Sequence, residues 1–152
     1  MQILAIQGAN IASLAKPFEI RLDEAPLASA GLFAITGETG AGKSSLLDAM
    51  CLALYGNCPR LSGDGTSEAV ADIGGQELKS TDARMVLRRG VASGYAEVTF
   101  RAADGESYTA VWQARRARDR IDGRLQSIER SLARATDGQV LETQTSRVNE
   151  RV

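Results

Sequence analysis

GLFAITGETGAGKSSLL (31–47) sets a short apolar run against a glycine-rich turn, a lysine with two serines, and a second apolar run. Residues 37–44 match G-x-x-x-x-G-K-[ST] at every fixed position. Glycines in such a turn let backbone N–H groups curl around an anion without obstruction from Cβ atoms. A helix starting at Lys43 aims its unpaired N–H groups and its positive dipole end at the same anion. The residue types are those that hold a triphosphate. Lys43 reaches the β- and γ-phosphates, the Ser44 hydroxyl ligates Mg²⁺, and Ser45 adds a hydroxyl near the α-phosphate. The expected cradle is therefore Gly37, Glu38, Thr39, Gly40, Ala41, Gly42, Lys43, Ser44 and Ser45, with Lys43 and Ser44 as its catalytic pair and ATP with Mg²⁺ as its ligand.

The flanks supply the context this turn needs. GLFAIT (31–36) reads as a short, fully apolar strand, buried on both faces in the centre of a sheet. From Lys43 to about Tyr55, Leu46, Leu47, Met50, Cys51, Ala53 and Leu54 leave little polar face, which predicts a helix buried against that sheet. Gly56, Asn57 and Pro59 end it.

Farther out, MQILAIQG (1–8) and the alternating FEIRL (18–22) pair as an antiparallel hairpin across the turn GANIAS. YAEVTFRA (95–102) and SYTAVWQAR (107–115) flank Asp104-Gly105, and a second hairpin signal, Asp137-Gly138, follows RSLARA. Residues 124–134 are open between two readings, because Leu125, Ile128 and Leu132 sit at helical spacing; the hairpin turn that follows favours a strand, and TSRVNERV (145–152) reads as the start of a helix. The polar segment 61–84 predicts a loop with little regular structure. Within it Asp72-Ile73-Gly74-Gly75 imitates the D-x-x-G of a GTPase switch, but no N-K-x-D or T-K-x-D guanine reader occurs. A solvated loop is the expectation there.

Composition narrows the chemistry. The 152 residues, 43% hydrophobic, suffice for one compact domain, and a net charge of −1 provides no global field for polyanions. There is no histidine, which excludes histidine-based triads and histidine-ligated zinc. Two cysteines, Cys51 and Cys58, lack disulfide-framework or CxxC spacing, so a reduced, cytoplasmic setting is expected. No apolar run is long enough to span a bilayer, and no basic segment precedes an apolar one at the start. Charge is uneven: residues 115–134 carry seven Lys/Arg against three Asp/Glu. Arg115, Arg116 and Arg118, with Arg120 and Arg124 nearby, form either a solvated hairpin tip or a sequence-indifferent contact to duplex DNA. One absence weighs more. A P-loop ATPase needs a second apolar strand ending in an acid to orient Mg²⁺ and the attacking water, and no such run occurs. The chain reads as a phosphate cradle without a hydrolytic carboxylate.

The strand from Met1, the Asn10/Ser13 turn, the P-loop followed by Leu47-Asp48-Ala49, and PRLS at 59–62 together resemble the amino-terminal head segment of the SbcC family. These are ATPase subunits of bacterial SbcCD nucleases and relatives of the SMC proteins. The resemblance runs along the whole chain, and it implies a fold and a function. The fold would be α/β: a P-loop NTPase half-domain of ABC/SMC type, with a mixed sheet around the P-loop helix plus an antiparallel β meander. Residues 1–152 would form the amino-terminal lobe of the head, ending before the Q-loop and a long coiled coil. The carboxy-terminal head segment would supply the signature motif and the catalytic acidic strand. Further implied partners are a second head, an SbcD-like nuclease and double-stranded DNA, with ATP gating head dimerisation and DNA access. Asn10 and Ser13 would line the edge of the nucleotide, and Arg88 and Arg89 would approach it. Ala12 stands where some relatives place a basic, nucleotide-contacting residue. Two other readings stay open on the residues alone: a stand-alone nucleotide-binding regulatory module, and an SMC- or ABC-type ATPase that does not act on DNA ends.

Overall fold

The computed structural model describes residues 1–30, 32, 34–61 and 68–152. Its centre is a six-stranded sheet built from β1 (Gln2–Ala9), β2 (Phe18–Arg21), β5 (Ser93–Arg101), β6 (Ser107–Arg115), β7 (Glu129–Arg134) and β8 (Val140–Glu142). The order is β2-β1-β5-β6-β7-β8. A separate two-stranded hairpin joins β3 (Ala69–Ala71) to β4 (Glu77–Lys79). The helices are α1 (Lys43–Tyr55) and α2 (Thr145–Arg151).

Period-two patterning sets the faces. On β5, Gly94, Ala96, Val98 and Phe100 point into the core, while Tyr95, Glu97 and Thr99 are half-exposed. On β6, Ala110, Trp112 and Ala114 do the same. The helix α1 lies across β5 and β6, and its Ala49, Leu52 and Ala53 are wholly buried in the same core as Trp112. Small residues on facing surfaces let the helix sit close to the sheet and leave room for the indole. At the two Asp-Gly turns the aspartates hold the bend: Asp104 accepts from the Glu106 N–H at 2.9 Å, and Asp137 from the Gln139 N–H at 3.0 Å.

Arg130, on β7, is buried and closes the far end of α1. Its guanidinium donates to the carbonyls of Ala53 (2.8 Å) and Leu54 (2.9 Å) and to the side chain of Asn149 on α2. A cation at a helix C-terminus satisfies carbonyls that no later turn can reach. Val148 of α2 is wholly buried beside it.

The hairpins, the P-loop helix and the start of the last helix fall where the sequence places them, and the stretch 124–134 forms a strand only over Glu129–Arg134. Two expectations do not hold. GLFAIT forms no strand among the described residues: residues 34–38 have no strand assignment, Leu32 is 92% exposed and Ile35 44% exposed. Gly31 and Phe33 lie outside the described residues. The physical reason is the absence of a neighbour. Every strand pairing among the described residues is antiparallel, and none of those strands pairs with this run. The parallel part of a mixed sheet would have to be built on it. Second, part of the expected loop 61–84 is the β3–β4 hairpin, closed at Asp72, where Asp72 N–H donates to the Gln76 carbonyl at 2.8 Å.

Candidate functional site

The glycine-rich turn feeds directly into α1. Gly42 is the residue before the helix, with φ of 96°, and Gly40 has φ of 86°. Both lie in the left-handed region that glycine adopts without strain. A Cβ at Gly42 would also sit 2.9 Å from Leu14 Cδ2 and 3.3 Å from Ser13 Oγ. The turn is therefore pressed against residues 13–14. The first turn of α1 carries no acidic side chain and no side-chain cap, and its ladder begins with Leu46 N–H donating to the Gly42 carbonyl at 2.9 Å. The preceding N–H groups are thus left for an external acceptor, and the dipole there favours an anion.

Lys43 folds back over the loop. Its Nζ donates to the carbonyls of Gly37 (2.6 Å) and Glu38 (2.7 Å), leaving one of three ammonium protons unengaged. The Ser45 hydroxyl is buried 2.7 Å from the Ser13 hydroxyl, which ties the turn between β1 and β2 to the loop. Ser44 is exposed. An open depression of about 450 Å³ brings together Ser13, Thr39, Gly40, Gly42, Lys43, Ser44, Ser45 and Arg60. Gly37, Glu38 and Ala41 are exposed beside it. Asn10 does not line the depression; its amide donates to the Ser93 carbonyl at 2.9 Å and pins β1 to β5.

Arg60 is the member that sequence reasoning missed. It stands on the short turn Pro59–Leu61 after α1 and pairs with Asp48 Oδ2 at 2.6 Å. Asp48 is buried on α1, and the pair holds Arg60 at the wall of the depression. The visible hint was the arginine in PRLS directly after the helix stop. Asp48 also bears on Cys58. Burial, and then the nearby carboxylate, push the Cys58 thiol up to about 11. A second depression of about 290 Å³ shares Arg60 and is lined by Ala12, Arg88 and Arg89 as well. Arg88 donates to the carbonyls of Ala12 and Ser13, each at 3.2 Å, and so grips the turn next to the cradle. Among the described residues no group of three or more Cys, Asp or Glu gathers to hold a metal ion.

The arginine-rich stretch divides. Arg116 is 5% exposed and is no surface cation: its Nη1 and Nη2 donate to the two oxygens of Asp72, both at 2.7 Å, and Nη1 also reaches the Gly123 carbonyl at 3.0 Å. Its expected place in a DNA contact is corrected by that burial. Asp72 is likewise no solvated loop residue, because the β3–β4 hairpin packs it against β6. The Arg116 guanidinium holds the Asp72 carboxyl below the usual carboxylate range. Arg115 is paired across the sheet with Glu129 at 2.6 Å, with both side chains about half exposed. Arg118 is exposed with φ of 59°, Arg120 pairs with Asp122 at the surface, and Arg124 is exposed.

Similarity to known proteins points the same way as this geometry. The family model for an AAA domain matches residues 5–151. The C subunit of the SbcCD nuclease of Rhodobacter capsulatus is 63% identical over 152 residues, all of this chain and 12% of that protein. Its counterpart from Pseudomonas aeruginosa is 56% identical over 144 residues, 95% of this chain and 11% of that protein. The chain thus spans about an eighth of the length of these curated relatives. Among solved structures, the recombination mediator protein RecF bound to ATP matches with a TM-score of 0.56 at 17% identity, covering 97% of this chain and 29% of that one. That likeness concerns the fold alone. Among the described residues no helix is long and apolar enough to cross a membrane. The phosphate-cradle motif at the start of α1, the α/β architecture and the match over nearly every residue agree: the chain belongs to the AAA domain family of P-loop proteins and is similar, along its whole length, to the amino-terminal region of the SbcC subunit of SbcCD nucleases.

Proposed function

We propose that residues 1–152 are the ATP-binding amino-terminal lobe of an ABC-type ATPase head, in the ATPase subunit of an exonuclease that processes DNA double-strand breaks. The observation that carries this reading is a complete phosphate cradle fed by an apolar segment with no sheet of its own. Leu32 and Ile35 before the loop, and Leu47 (50% exposed) and Tyr55 (53% exposed) on α1, are large apolar side chains left exposed. A second segment that brought its own strands and a catalytic carboxylate would cover the run before the loop and complete the site. The similarity to an SbcC subunit over 12% of its length supports a carboxy-terminal head segment of the same protein, joined through a coiled coil that continues from α2.

In this reading the first-turn N–H groups and Lys43 bind the phosphates, the Ser44 hydroxyl offers a hard oxygen to Mg²⁺, and Ser13 and Ser45 border the nucleotide. The donor set fits an anion: a bare helix N-terminus, a lysine held only by carbonyls, and no carboxylate in the first turn. Bound Mg²⁺ supplies neutralisation of the charge on the β- and γ-phosphate oxygens. ATP binding gates closure of two heads, access of DNA and the work of an SbcD-like nuclease subunit, in the cytoplasm. Duplex DNA meets the exposed tip through Arg118, with Arg115 beside it; Arg116 serves the fold.

The test mixes this chain with the carboxy-terminal head segment of the same protein and measures ATP hydrolysis. The chain alone gives none, the mixture turns over, and Lys43→Ala abolishes turnover while both pieces stay folded. Hydrolysis by the isolated chain sinks the half-site reading. For the DNA contact, Arg118→Glu in the assembled head weakens duplex affinity and flattens its salt dependence. Unchanged binding removes Arg118 from the interface.

A further inference from the structure

The turn between β1 and β2 holds an unfavourable backbone. Asn10 and Ala12 have φ of 59° and 46°, in the left-handed region that asparagine tolerates but that costs an alanine. Such a conformation persists only where its surroundings over-determine it. Here one segment does most of the holding. The Val86 carbonyl accepts from the Ala12 N–H at 2.8 Å, and the Arg88 N–H donates to the Asn10 carbonyl at 2.9 Å. The Arg88 guanidinium then takes the carbonyls of both Ala12 and Ser13 at 3.2 Å. It makes no ion pair with a carboxylate among the described residues, so these carbonyls are its principal partners.

What the turn carries is the reason this matters. Ser13 places its hydroxyl 2.7 Å from that of Ser45, and both line the cradle with Lys43. Ser13 and Leu14 also back the left-handed Gly42 at the head of α1. A guanidinium laid on the Ala12 and Ser13 carbonyls orients the turn that carries the Ser13 hydroxyl.

We propose that Arg88 is a positioning residue of the nucleotide site: it holds the strained turn 10–13, and through it Ser13, against Ser45 and Gly42. Arg88 acts by fixing the wall of the cradle, without touching the phosphates. The inference rests on the ATP-binding reading above, and its test separates the two.

The probe is the fluorescent nucleotide mant-ATP with Mg²⁺, titrated into this chain. Amide hydrogen exchange at Ile11, Ala12 and Leu14, whose N–H groups are all bonded within or across the turn, is read in parallel. Arg88→Met weakens mant-ATP binding about tenfold, as expected for the loss of charge-assisted hydrogen bonds, and raises exchange at those three amides. Arg88→Lys, which can still reach a carbonyl, recovers part of both. If Arg88→Met does not fold, the Lys variant alone decides, by an intermediate loss of both affinity and protection. Unchanged affinity in a folded variant overturns the proposal, and so does lost affinity with unchanged exchange, since Arg88 would then act directly on the ligand. If the unsubstituted chain fails to bind mant-ATP, the nucleotide reading fails. Exchange then judges the clamp by itself, with faster exchange in Arg88→Met supporting it and no change overturning it.

Discussion

Removing the Asp72 carboxylate strands a buried cation, and the cost can be worked from the geometry. Asp72 and Arg116 have side chains 9% and 5% exposed and share two hydrogen bonds of 2.7 Å. Asp72 also accepts from the Gly74 N–H at 3.1 Å. Breaking a buried pair by deleting one partner costs about 3–5 kcal/mol, because the survivor stays desolvated without compensation. Replacing both partners with apolar residues of similar volume is close to neutral. We therefore expect Asp72→Ala to destabilise the chain by about 3 kcal/mol, a fall in Tm of about 6–12 °C for a domain of this size. Arg116→Met combined with Asp72→Leu should return to within about 1 kcal/mol of the parent.

Urea denaturation of the parent, Asp72→Leu, Arg116→Met and the double variant closes the cycle, with Asp72→Ala measured beside it. The pH dependence adds a second check. The folded carboxyl of Asp72 lies below its ordinary value of 3.8, so its contribution is fully present above that value and is lost as pH falls through the folded pKa. The gap between the parent and Asp72→Ala should stay constant near neutrality and shrink below about pH 4. Additive single effects, or a cost under about 1 kcal/mol for Asp72→Ala, would refute the buried-pair account and return Arg116 to the surface cations.

Two further outcomes follow from local geometry. Gly40→Ala meets nothing within 4 Å, and Gly42→Ala meets only the end of the half-buried Leu14 side chain at 2.9 Å and the Ser13 hydroxyl at 3.3 Å, so both pay chiefly for a left-handed φ and should cost about 1–2 kcal/mol each by thermal unfolding; a several-fold larger cost for Gly42→Ala contradicts a Leu14 free to yield. Cys58, with its thiol raised to about 11, should resist Ellman's reagent at pH 8 in the native chain and react on unfolding, and rapid native reaction contradicts its buried place beside Asp48.

The sequence was most legible where a local pattern carries its own reason. The P-loop is recognisable because glycine, lysine and serine are each demanded by an anion. The hairpins at Asp104-Gly105 and Asp137-Gly138 are recognisable because the turn residues set them. It was least legible where the answer depended on a distant partner. Arg116 looks like a surface arginine until Asp72, 44 residues away, is folded over it. Asp72 looks solvated for the same reason, since the three-residue strands that carry it are too short to show a period. Arg60 could not be assigned to the cradle without knowing that the chain turns back after Gly56 and finds Asp48. GLFAIT failed differently: apolar composition says that a strand wants burial on both faces, but not which segment provides it.

The exposed apolar side chains around the P-loop segment bound the strength of the docking we propose for the carboxy-terminal head segment. Leu32, Ile35, Leu47 and Tyr55 expose 92%, 44%, 50% and 53% of their surface, the equivalent of between two and three fully exposed large side chains. Burying them is worth about 4–8 kcal/mol at most. Bringing two separate chains together costs about 4–15 kcal/mol in lost freedom, so the apolar surplus is small and the new strand hydrogen bonds must contribute the rest. Separate pieces should therefore associate no more tightly than about micromolar. Joining them in one chain should raise occupancy through effective concentration, without any new contact. Sedimentation of the mixed pieces measures this directly. Ile35→Asp should weaken association at least about tenfold, since it sets a carboxylate where an aliphatic side chain is to be buried. Nanomolar association of the free pieces, or indifference to Ile35→Asp, would place the interface on some other face and leave the exposed run before the P-loop without the partner proposed for it.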